Sequence, residues 1–262
     1  MAIPRCPHCG KEYKLNEYVL KNEYIINNLS EEFKEKIKYI ADCDCFDKLE
    51  KQEAEAREKE RLRQCQQNKI KKYKDISVID KKFIDSTFEK ADMSDKHMNI
   101  CKRYAEKFVA VGTAPKGLMM FGSVGTGKTY ASNCVANHLM EHNKTVLVMN
   151  LGLYINKLQR EWAEAEKDVL QYVRSCDLLV IDDFGVEKTS EFVIDKTFAL
   201  IDARYRTEKP VIITTNLNIE DINKKFGSRI VDRISEMCFQ LAVVGESKRA
   251  KKVKNEFLEF IA

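Results

Sequence analysis

The chain has 262 residues, of which 44% are hydrophobic, and its 45 basic and 41 acidic side chains leave a net charge of +4. This length can hold one large domain plus a small appendage, and the mildly basic charge permits nucleic acid contact without requiring it. No apolar run approaches the roughly 18 residues that span a bilayer, and the N-terminus lacks a hydrophobic secretory signal. We therefore expect a cytoplasmic protein with no membrane partner.

Two close pairs of cysteines mark the N-terminal segment, which we delimit as 1–45. A C-x-x-C turn followed by Gly10 lets two thiolates face one ion, and a C-x-C pair arrives at 43–45. The predicted Zn²⁺ ligands are Cys6, Cys9, Cys43 and Cys45. Two alternatives stay open: small buried cysteines that merely cluster, or a site in which His8 or Cys65 replaces one thiolate. Because so few apolar residues make a thin core, the segment is expected to need zinc in order to fold.

The composition changes after the second cysteine pair. Glu50 to Arg63 is almost wholly charged, with opposite charges at i,i+4 spacing and too few apolar residues for a coiled-coil seam. We interpret 46–74 as a charged helical linker between the zinc-binding domain and a second domain at 75–262.

The second domain alternates helical and strand patterns. A helix is predicted around Asp95 to Val111, and its buried side is expected to carry Met98, Cys101, Ala105 and Phe108. Short apolar runs predict strands near 118–121, 145–149, 178–182, 211–215 and 238–244. Uninterrupted apolar runs are typical of strands buried on both faces, so we predict an α/β fold with a parallel sheet. In such folds ligands bind at the carboxyl ends of the strands.

A phosphate-binding loop follows the first of these strands. Its residues, which fit the pattern G-x-x-x-x-G-K-[ST], are Gly122, Ser123, Val124, Gly125, Thr126, Gly127, Lys128 and Thr129. The three glycines allow several backbone N–H groups to face phosphate oxygens, and a helix predicted at 128–141 directs its positive end at the same anion. Lys128 is predicted to contact the β and γ phosphates of ATP, and the Thr129 hydroxyl to bind Mg²⁺.

Two further strands end in polar groups. Leu178 to Ile181 runs into Asp182, which would hold Mg²⁺, and Asp183, which would orient or polarise the attacking water. The strand at 211–215 is followed by Asn216, which either contacts the γ phosphate or the water, or caps the helix predicted at 219–226.

Taken together, these motifs resemble the AAA+ helicase loaders of the DnaC/DnaI type over about 190 residues. The sequences that carry the resemblance are the phosphate loop, LLVIDDFG at 178–185, KPVIITTNL at 209–217 and RIVDRI at 229–234. The resemblance implies a five-stranded AAA+ P-loop NTPase domain with sheet order 5-1-4-3-2 and a reduced or missing helical lid. It also implies that Asn216 is the sensor 1 residue and that Arg229 or Arg233, with Arg233 preferred, acts as an arginine finger at a neighbouring subunit's ATP site.

The same resemblance implies the partners. The N-terminal cysteine pairs are similar to the zinc-bearing, helicase-binding domain of the DnaI-like and phage branch, so the implied function is ATP-dependent loading of a replicative DNA helicase onto single-stranded DNA, with self-association through the ATP site. The family's DNA-facing element corresponds to 151–174, where the candidate residues are Tyr154, Lys157, Arg160 and Trp162. Near the C-terminus, Lys248 stands where the family usually has Tyr, so a nucleotide-sensing role for Arg249 does not follow from the motif.

Two other functions remain open at this stage. An IstB-type transposition helper ATPase shares the core motifs, although the cysteine-rich N-terminus favours the loader. A nucleotide-regulated adaptor that binds ATP with little hydrolysis would also carry the phosphate loop.

Overall fold

The computed structural model describes residues 3–77, 83–249, 253 and 257–258, without the side chains of 23, 25–26 and 160–165. None of the helices within these residues is long and apolar enough to cross a membrane. The chain divides into two compact units, Met1–Cys65 and Gln66–Ala262, which are described separately.

The first unit is small and has little apolar interior. Its elements are β1 (Lys14–Leu15), α1 (Glu17–Lys21), α2 (Glu23–Asn28), α3 (Glu31–Ile37) and β2 (Tyr39–Ile40), followed by the first part of α4 (Cys45–Ile76). Strands β1 and β2 pair antiparallel. Cys6, at 2% exposure, is the single apolar side chain of this unit that is buried among the described residues. Such a unit gains little from apolar burial, as the sequence predicted.

Helix α4 is a continuous helix of 32 residues, and its charged part at 50–63 is exposed. Its C-terminal end is different, because Tyr73 is buried in the core of the second unit and its hydroxyl lies 2.5 Å from Ser175 Oγ. Beyond the helix, Ser77 Oγ accepts a hydrogen bond of 2.9 Å from the backbone N–H of Val148. The end of α4 is therefore part of the nucleotide-binding fold.

The second unit is built around a five-stranded sheet. Its helices and strands are α5 (Lys96–Val111), β3 (Gly117–Phe121), α6 (Lys128–Glu141), β4 (Val146–Asn150), α7 (Leu151–Ser175), β5 (Leu178–Asp182), α8 (Glu191–Tyr205), β6 (Val211–Thr215), α9 (Ile219–Phe226), α10 (Ser228–Met237) and β7 (Cys238–Ala242). All neighbouring strands are parallel, in the order β4-β5-β6-β3-β7. Counted along the chain and read from the other edge, this order is 5-1-4-3-2, which confirms the prediction.

Helices cover both faces of the sheet because alternate strand residues point to opposite sides. Leu118 and Met120 belong to a core with α5 and α6, whereas Met119 belongs to a second core with α7, α8, α9 and α10. The predicted buried side of α5 is confirmed. The predicted bounds of α6 and α9 match the observed bounds.

The parallel pairing register of the strands places their carboxyl ends along the same edge of the sheet. Phe121 pairs with Thr215 and with Ala242, and Asn150 pairs with Asp182. After β7 the described chain has no regular secondary structure through 243–247, and most residues from 250 onward lie outside the described part. The expected reduction of the helical lid falls on that part and stays a prediction.

Candidate functional site

The phosphate loop joins the end of β3 to the start of α6, and its glycines are sterically required. Gly122, Gly125 and Gly127 have φ of 144°, 83° and 98°, in the region that side chains disfavour. A Cβ on Gly122 would lie 2.2 Å from the carbonyl oxygen of Val243. The loop therefore keeps its path only with glycine at these positions.

Lys128, the first residue of α6, is 6% exposed. It connects the phosphate loop to the residue that follows β6. Its Nζ donates hydrogen bonds to the carbonyl oxygens of Gly122 and Ser123, at 2.8 and 2.7 Å, and to Asn216 Oδ1 at 2.9 Å. Burial lowers the pKa of Lys128, the charges of Asp183 and Asp182 raise this pKa, and that of Arg249 lowers it. The net effect is a lowered pKa of Lys128, which the two carboxylates oppose.

Asp182 and Asp183 are joined through a residue that the sequence analysis did not identify. Thr214 Oγ1 donates a hydrogen bond of 2.6 Å to Asp182 Oδ1 and accepts one of 3.0 Å from the backbone N–H of Asp183. Asp183 has a φ of 53°, a conformation that Asp and Asn tolerate better than most residues. Thr214 thus orients the carboxylate of Asp182 and fixes the backbone of Asp183. The polar residues at the end of the apolar run 211–213 were the signal that could have found it.

Asn216 lies beside the phosphate loop, and it does not cap α9. The N-cap of α9 is Asn218, whose side chain accepts a hydrogen bond of 2.9 Å from the backbone N–H of Asp221. Of the two alternatives for Asn216, the structure thus favours a place in the site.

The two candidate finger arginines have different surroundings. Arg233 is held on its own subunit: its Nη2 lies 2.7 Å from Asp202 Oδ1, and its guanidinium lies 4.6 and 5.3 Å from the ring centroids of Phe198 and Tyr205. Arg229, one turn earlier on α10, is exposed. The preference for Arg233 as a group that reaches another subunit therefore loses its support.

Residues 243–249 run along the phosphate loop, which the sequence analysis did not foresee. The backbone N–H of Lys248 donates a hydrogen bond of 2.9 Å to the carbonyl oxygen of Gly125, and the charge of Arg249 reaches Lys128. Although its motif departs from that of the resembled family, Arg249 thus lies on the phosphate side of the domain.

The candidate DNA-facing residues are spread along α7. Tyr154 is 5% exposed and belongs to the core, so in this arrangement its ring cannot stack on a base. Lys157 is exposed, whereas the side chains of Arg160 and Trp162 lie outside the described residues. Of the four candidates, Lys157 is the one that the structure presents on the surface.

The first unit brings the four predicted thiols together. Sγ atoms of Cys6, Cys9, Cys43 and Cys45 all lie within 4.8 Å of one another, and the described residues hold no other such group of metal-ligating side chains. His8 instead packs against Phe46, with ring centroids 5.7 Å apart, and Cys65 is exposed. Four sulfur ligands fit the tetrahedral coordination of Zn²⁺.

The four thiols shift one another's pKa values. Desolvation raises the pKa of the Cys6 thiol, but hydrogen bonds from backbone and neighbouring thiol groups outweigh it and lower the pKa to about 7. A hydrogen bond with Cys9, together with desolvation, raises the pKa of Cys45 to about 12. Ionisation of one thiol thus disfavours ionisation of its neighbours, and a divalent cation would allow all four to be thiolates.

Comparisons with known proteins agree with this geometry. Replicative helicase loader DnaC of Escherichia coli strain K12 is 29% identical over 116 residues, which cover 43% of this chain and 47% of that protein. The chain thus spans about half the length of this curated relative.

Two solved structures share the fold of the second unit. The crystal structure of DnaI is 23% identical, covers 66% of this chain and 95% of its own, and has a TM-score of 0.57. The crystal structure of the DnaC helicase loader is 24% identical, covers 63% of this chain and 100% of its own, and has a TM-score of 0.56.

The match of a family model extends over both units. It covers residues 25–256, and the family is described as IstB-like ATP binding protein. With the phosphate loop, the paired acids and the predicted strand order all in position, the chain belongs to the IstB-like ATP binding protein family.

Proposed function

We propose that this protein is an ATP-dependent loader that binds a replicative DNA helicase and helps to load it onto single-stranded DNA. The observation that carries the proposal is the meeting of Lys128 and Asn216 with Asp182, the last residue of β5, and Asp183, the residue after it, at one sheet edge. The relatives named replicative helicase loaders support the choice of partner.

Several of the chain's own groups would take part in phosphoryl transfer to water. Backbone N–H groups of 122–129 and the ammonium of Lys128 would bind the phosphates, and Asp183 would accept a hydrogen bond from the attacking water and orient it. Asn216, already paired with Lys128, would hold the γ phosphate or that water.

Thr129 and Asp182 are the residues that would hold Mg²⁺. A hydroxyl and a carboxylate are hard oxygen donors of the kind that this ion prefers, and Thr214 orients the carboxylate. When bound, Mg²⁺ would neutralise charge on the phosphate oxygens.

An arginine from a neighbouring subunit would complete the site, and we assign this role to Arg229. Arg233 is held by Asp202 and two aromatic rings, so its release would cost its ion pair and its ring contacts. Exposed Arg229 can approach a second copy at no such cost. An arginine supplied in trans makes turnover depend on assembly, which suits a loader that acts on a ring of subunits.

The cysteine cluster would hold one Zn²⁺ and thereby stabilise a helicase-binding unit. The first unit leaves large apolar side chains exposed, among them Tyr18 and Tyr24 at 73% and 78%. Exposed aromatic groups on a metal-stabilised unit suit a protein partner better than they suit solvent.

Binding of single-stranded DNA would belong to the ATP-bound, assembled state. Lys157 on α7 is exposed, and its ammonium would contact the phosphate backbone. Titration of labelled single-stranded DNA into the full chain should give tighter binding with ATP than with ADP, by a coupling of about 1 to 3 kcal/mol. The affinity should fall with added salt. Equal affinity in every nucleotide state would contradict this part of the proposal.

A transposition helper ATPase remains the second candidate, because the family model carries the IstB name. A helper of this kind would act with a transposase and leave a replicative helicase unbound. A pull-down with replicative helicases therefore separates the two functions.

The experiment is a pull-down of purified candidate replicative helicases on the full chain, with the wild type, Cys43→Ser and Lys128→Ala. The wild type and Lys128→Ala should retain a helicase without nucleotide, whereas Cys43→Ser should lose it and still bind ATP. A wild-type chain that retains none of the helicases would overturn the proposal. Retention by Cys43→Ser at the wild-type level would move the helicase contact out of the first unit.

A further inference from the structure

We propose that Lys248 and Asp95 form an ion pair that positions residues 243–249 against the phosphate loop and so holds Arg249 beside the nucleotide phosphates. The inference deepens, and rests on, the proposed nucleotide function of this loop. In this pair Lys248 is a positioning residue, because it would act on the phosphates through Arg249.

The segment follows the loop from one end to the other. The backbone N–H of Val243 donates a hydrogen bond of 2.8 Å to the carbonyl oxygen of Phe121, where the loop begins, and that of Lys248 reaches Gly125 at its middle. The approach is close, since a Cβ on Gly125 would lie 2.3 Å from Ser247 Oγ. Any displacement of the segment would therefore remove contacts along the whole loop.

The ion pair fixes the far end of this segment to α5. Lys248 Nζ donates a hydrogen bond to Asp95 Oδ2, and Asp92 Oδ2 lies 4.0 Å from the same ammonium. Asp95 is the N-cap residue of α5, yet its side chain makes no capping hydrogen bond. A carboxylate at this position usually accepts from the first turn of its own helix. Here the carboxylate of Asp95 accepts a hydrogen bond from Lys248 instead.

The anchor itself is firmly held. The carbonyl oxygen of Asp95 accepts a hydrogen bond of 3.1 Å from the backbone N–H of Met98. The side chain of Met98 is buried in the core beneath α5, at 2% exposure. His97, at 6% exposure, lies against the loop, because its Nε2 would be 3.5 Å from a Cβ on Gly127. The start of α5 is therefore packed on the loop, and an ion pair to Asp95 fixes Lys248 relative to the phosphates.

The stem of Lys248 adds a second contact with the loop. Its Cδ and Cε would lie 3.9 and 4.0 Å from a Cβ on Gly127. Lys248 therefore covers the loop with its apolar stem while its head group reaches Asp95, an arrangement common for long cationic side chains. The next residue is Arg249, whose charge lowers the pKa of Lys128.

A double-mutant cycle on the full chain tests the pair. Asp95→Asn keeps a good N-cap residue, Lys248→Met keeps the apolar stem, and each removes one charge. The readouts are the Kd of a fluorescent ATP analogue and the amide exchange of residues 243–249. Each single variant should raise the Kd about threefold, a modest effect because the pair is partly exposed. The double variant should be no weaker than either single variant, and Lys248→Arg should bind as the wild type does.

Two comparisons make the test specific. In an Arg249→Ala background, Lys248→Met should have no further effect on the Kd, because its effect passes through Arg249. Lys224→Met, which breaks the exposed pair with Asp221 on α9, is the matched control and should change neither readout.

Additive effects of Asp95→Asn and Lys248→Met, or amide exchange at 243–249 that neither variant accelerates, would overturn the proposal. The exchange experiment needs no nucleotide. Absence of binding by the wild type, with exchange accelerated equally in both variants, would therefore contradict the proposed function and support the pair.

Discussion

Lys128 Nζ lies 2.9 Å from Asn216 Oδ1, so the first residue of α6 is hydrogen-bonded to the first residue after β6. The two residues are 88 positions apart in sequence and belong to different motifs. When phosphate oxygens compete for the ammonium, this hydrogen bond must be exchanged or shared. Nucleotide binding at the loop would thereby be communicated to the end of β6 and, through Thr214, to both acids.

Binding and turnover should separate between two variants. Lys128→Ala should abolish ATP binding, because it removes the one buried cation of the loop. Asp183→Asn should bind ATP and lose about 100-fold in turnover, since Asn accepts the left-handed backbone and cannot take a proton. Titration calorimetry and a phosphate-release assay measure the two effects. Asp195→Asn, on the exposed side of α8, is the control. Wild-type turnover by Asp183→Asn would show that Asp183 has another role.

Thr214→Val should weaken the response to magnesium. The variant keeps the shape of the buried side chain and removes the hydrogen bonds to Asp182 and Asp183. We expect a loss of about 10-fold in activity at limiting Mg²⁺, the size typical for partners that orient metal ligands. Thr197→Val is a matched control, because the buried hydroxyl of Thr197 has no hydrogen-bond partner among the described residues. Equal magnesium dependence in both variants would contradict the orienting role of Thr214.

Metal analysis of the purified chain should give one zinc per molecule. Cys43→Ser should lower this content and unfold the first unit, because its apolar core is too small to fold alone. Cys65→Ser should keep the zinc, since Cys65 is exposed on α4 and lies outside the cluster of thiols. Circular dichroism before and after chelation follows the folding. A wild-type first unit that stays folded after the metal is removed would be incompatible with this prediction.

The two arginines of α10 should have different effects. Arg233→Ala should lower the Tm, because Arg233 is paired with Asp202 and packed between two rings, contacts worth about 1 to 2 kcal/mol together. Arg229→Ala should leave the Tm unchanged and abolish turnover.

Mixing of subunits tests the trans role of Arg229. Lys128→Ala and Arg229→Ala subunits, each inactive alone, should recover part of the turnover when mixed. At some mixed interfaces the intact phosphate loop of one subunit then faces the intact Arg229 of its neighbour. No recovery at any ratio, in mixtures that assemble, would contradict a finger at position 229.

The sequence predicts β3, β4, β5 and β6 well because these strands are short apolar runs buried on both faces. β7 lies at the edge of the sheet and is partly exposed. The phosphate loop, Asp182 and Asp183 are predicted because their residues are close together in sequence and form recognisable motifs. Position 216 was ambiguous, since an Asn before a helix suits a cap, and only the structure shows that Asn218 takes that role.

Other relationships join residues that are distant in sequence. Asp95 and Lys248 are 153 positions apart, and neither belongs to a nucleotide-binding motif. Arg229 and Arg233 lie one turn apart on the same helix. Arg233 differs from Arg229 because it pairs with Asp202 on α8. Such pairs depend on how the helices pack, which local pattern does not specify.

The measurement that tests the central claim most directly is helicase loading onto circular single-stranded DNA, assayed as unwinding of an annealed strand. The full chain with ATP should increase unwinding by its partner helicase, and Lys128→Ala should bind that helicase without increasing unwinding. Stimulation by Lys128→Ala equal to that of the wild type, or no stimulation by a wild-type chain that binds both helicase and ATP, would contradict an ATP-dependent loader.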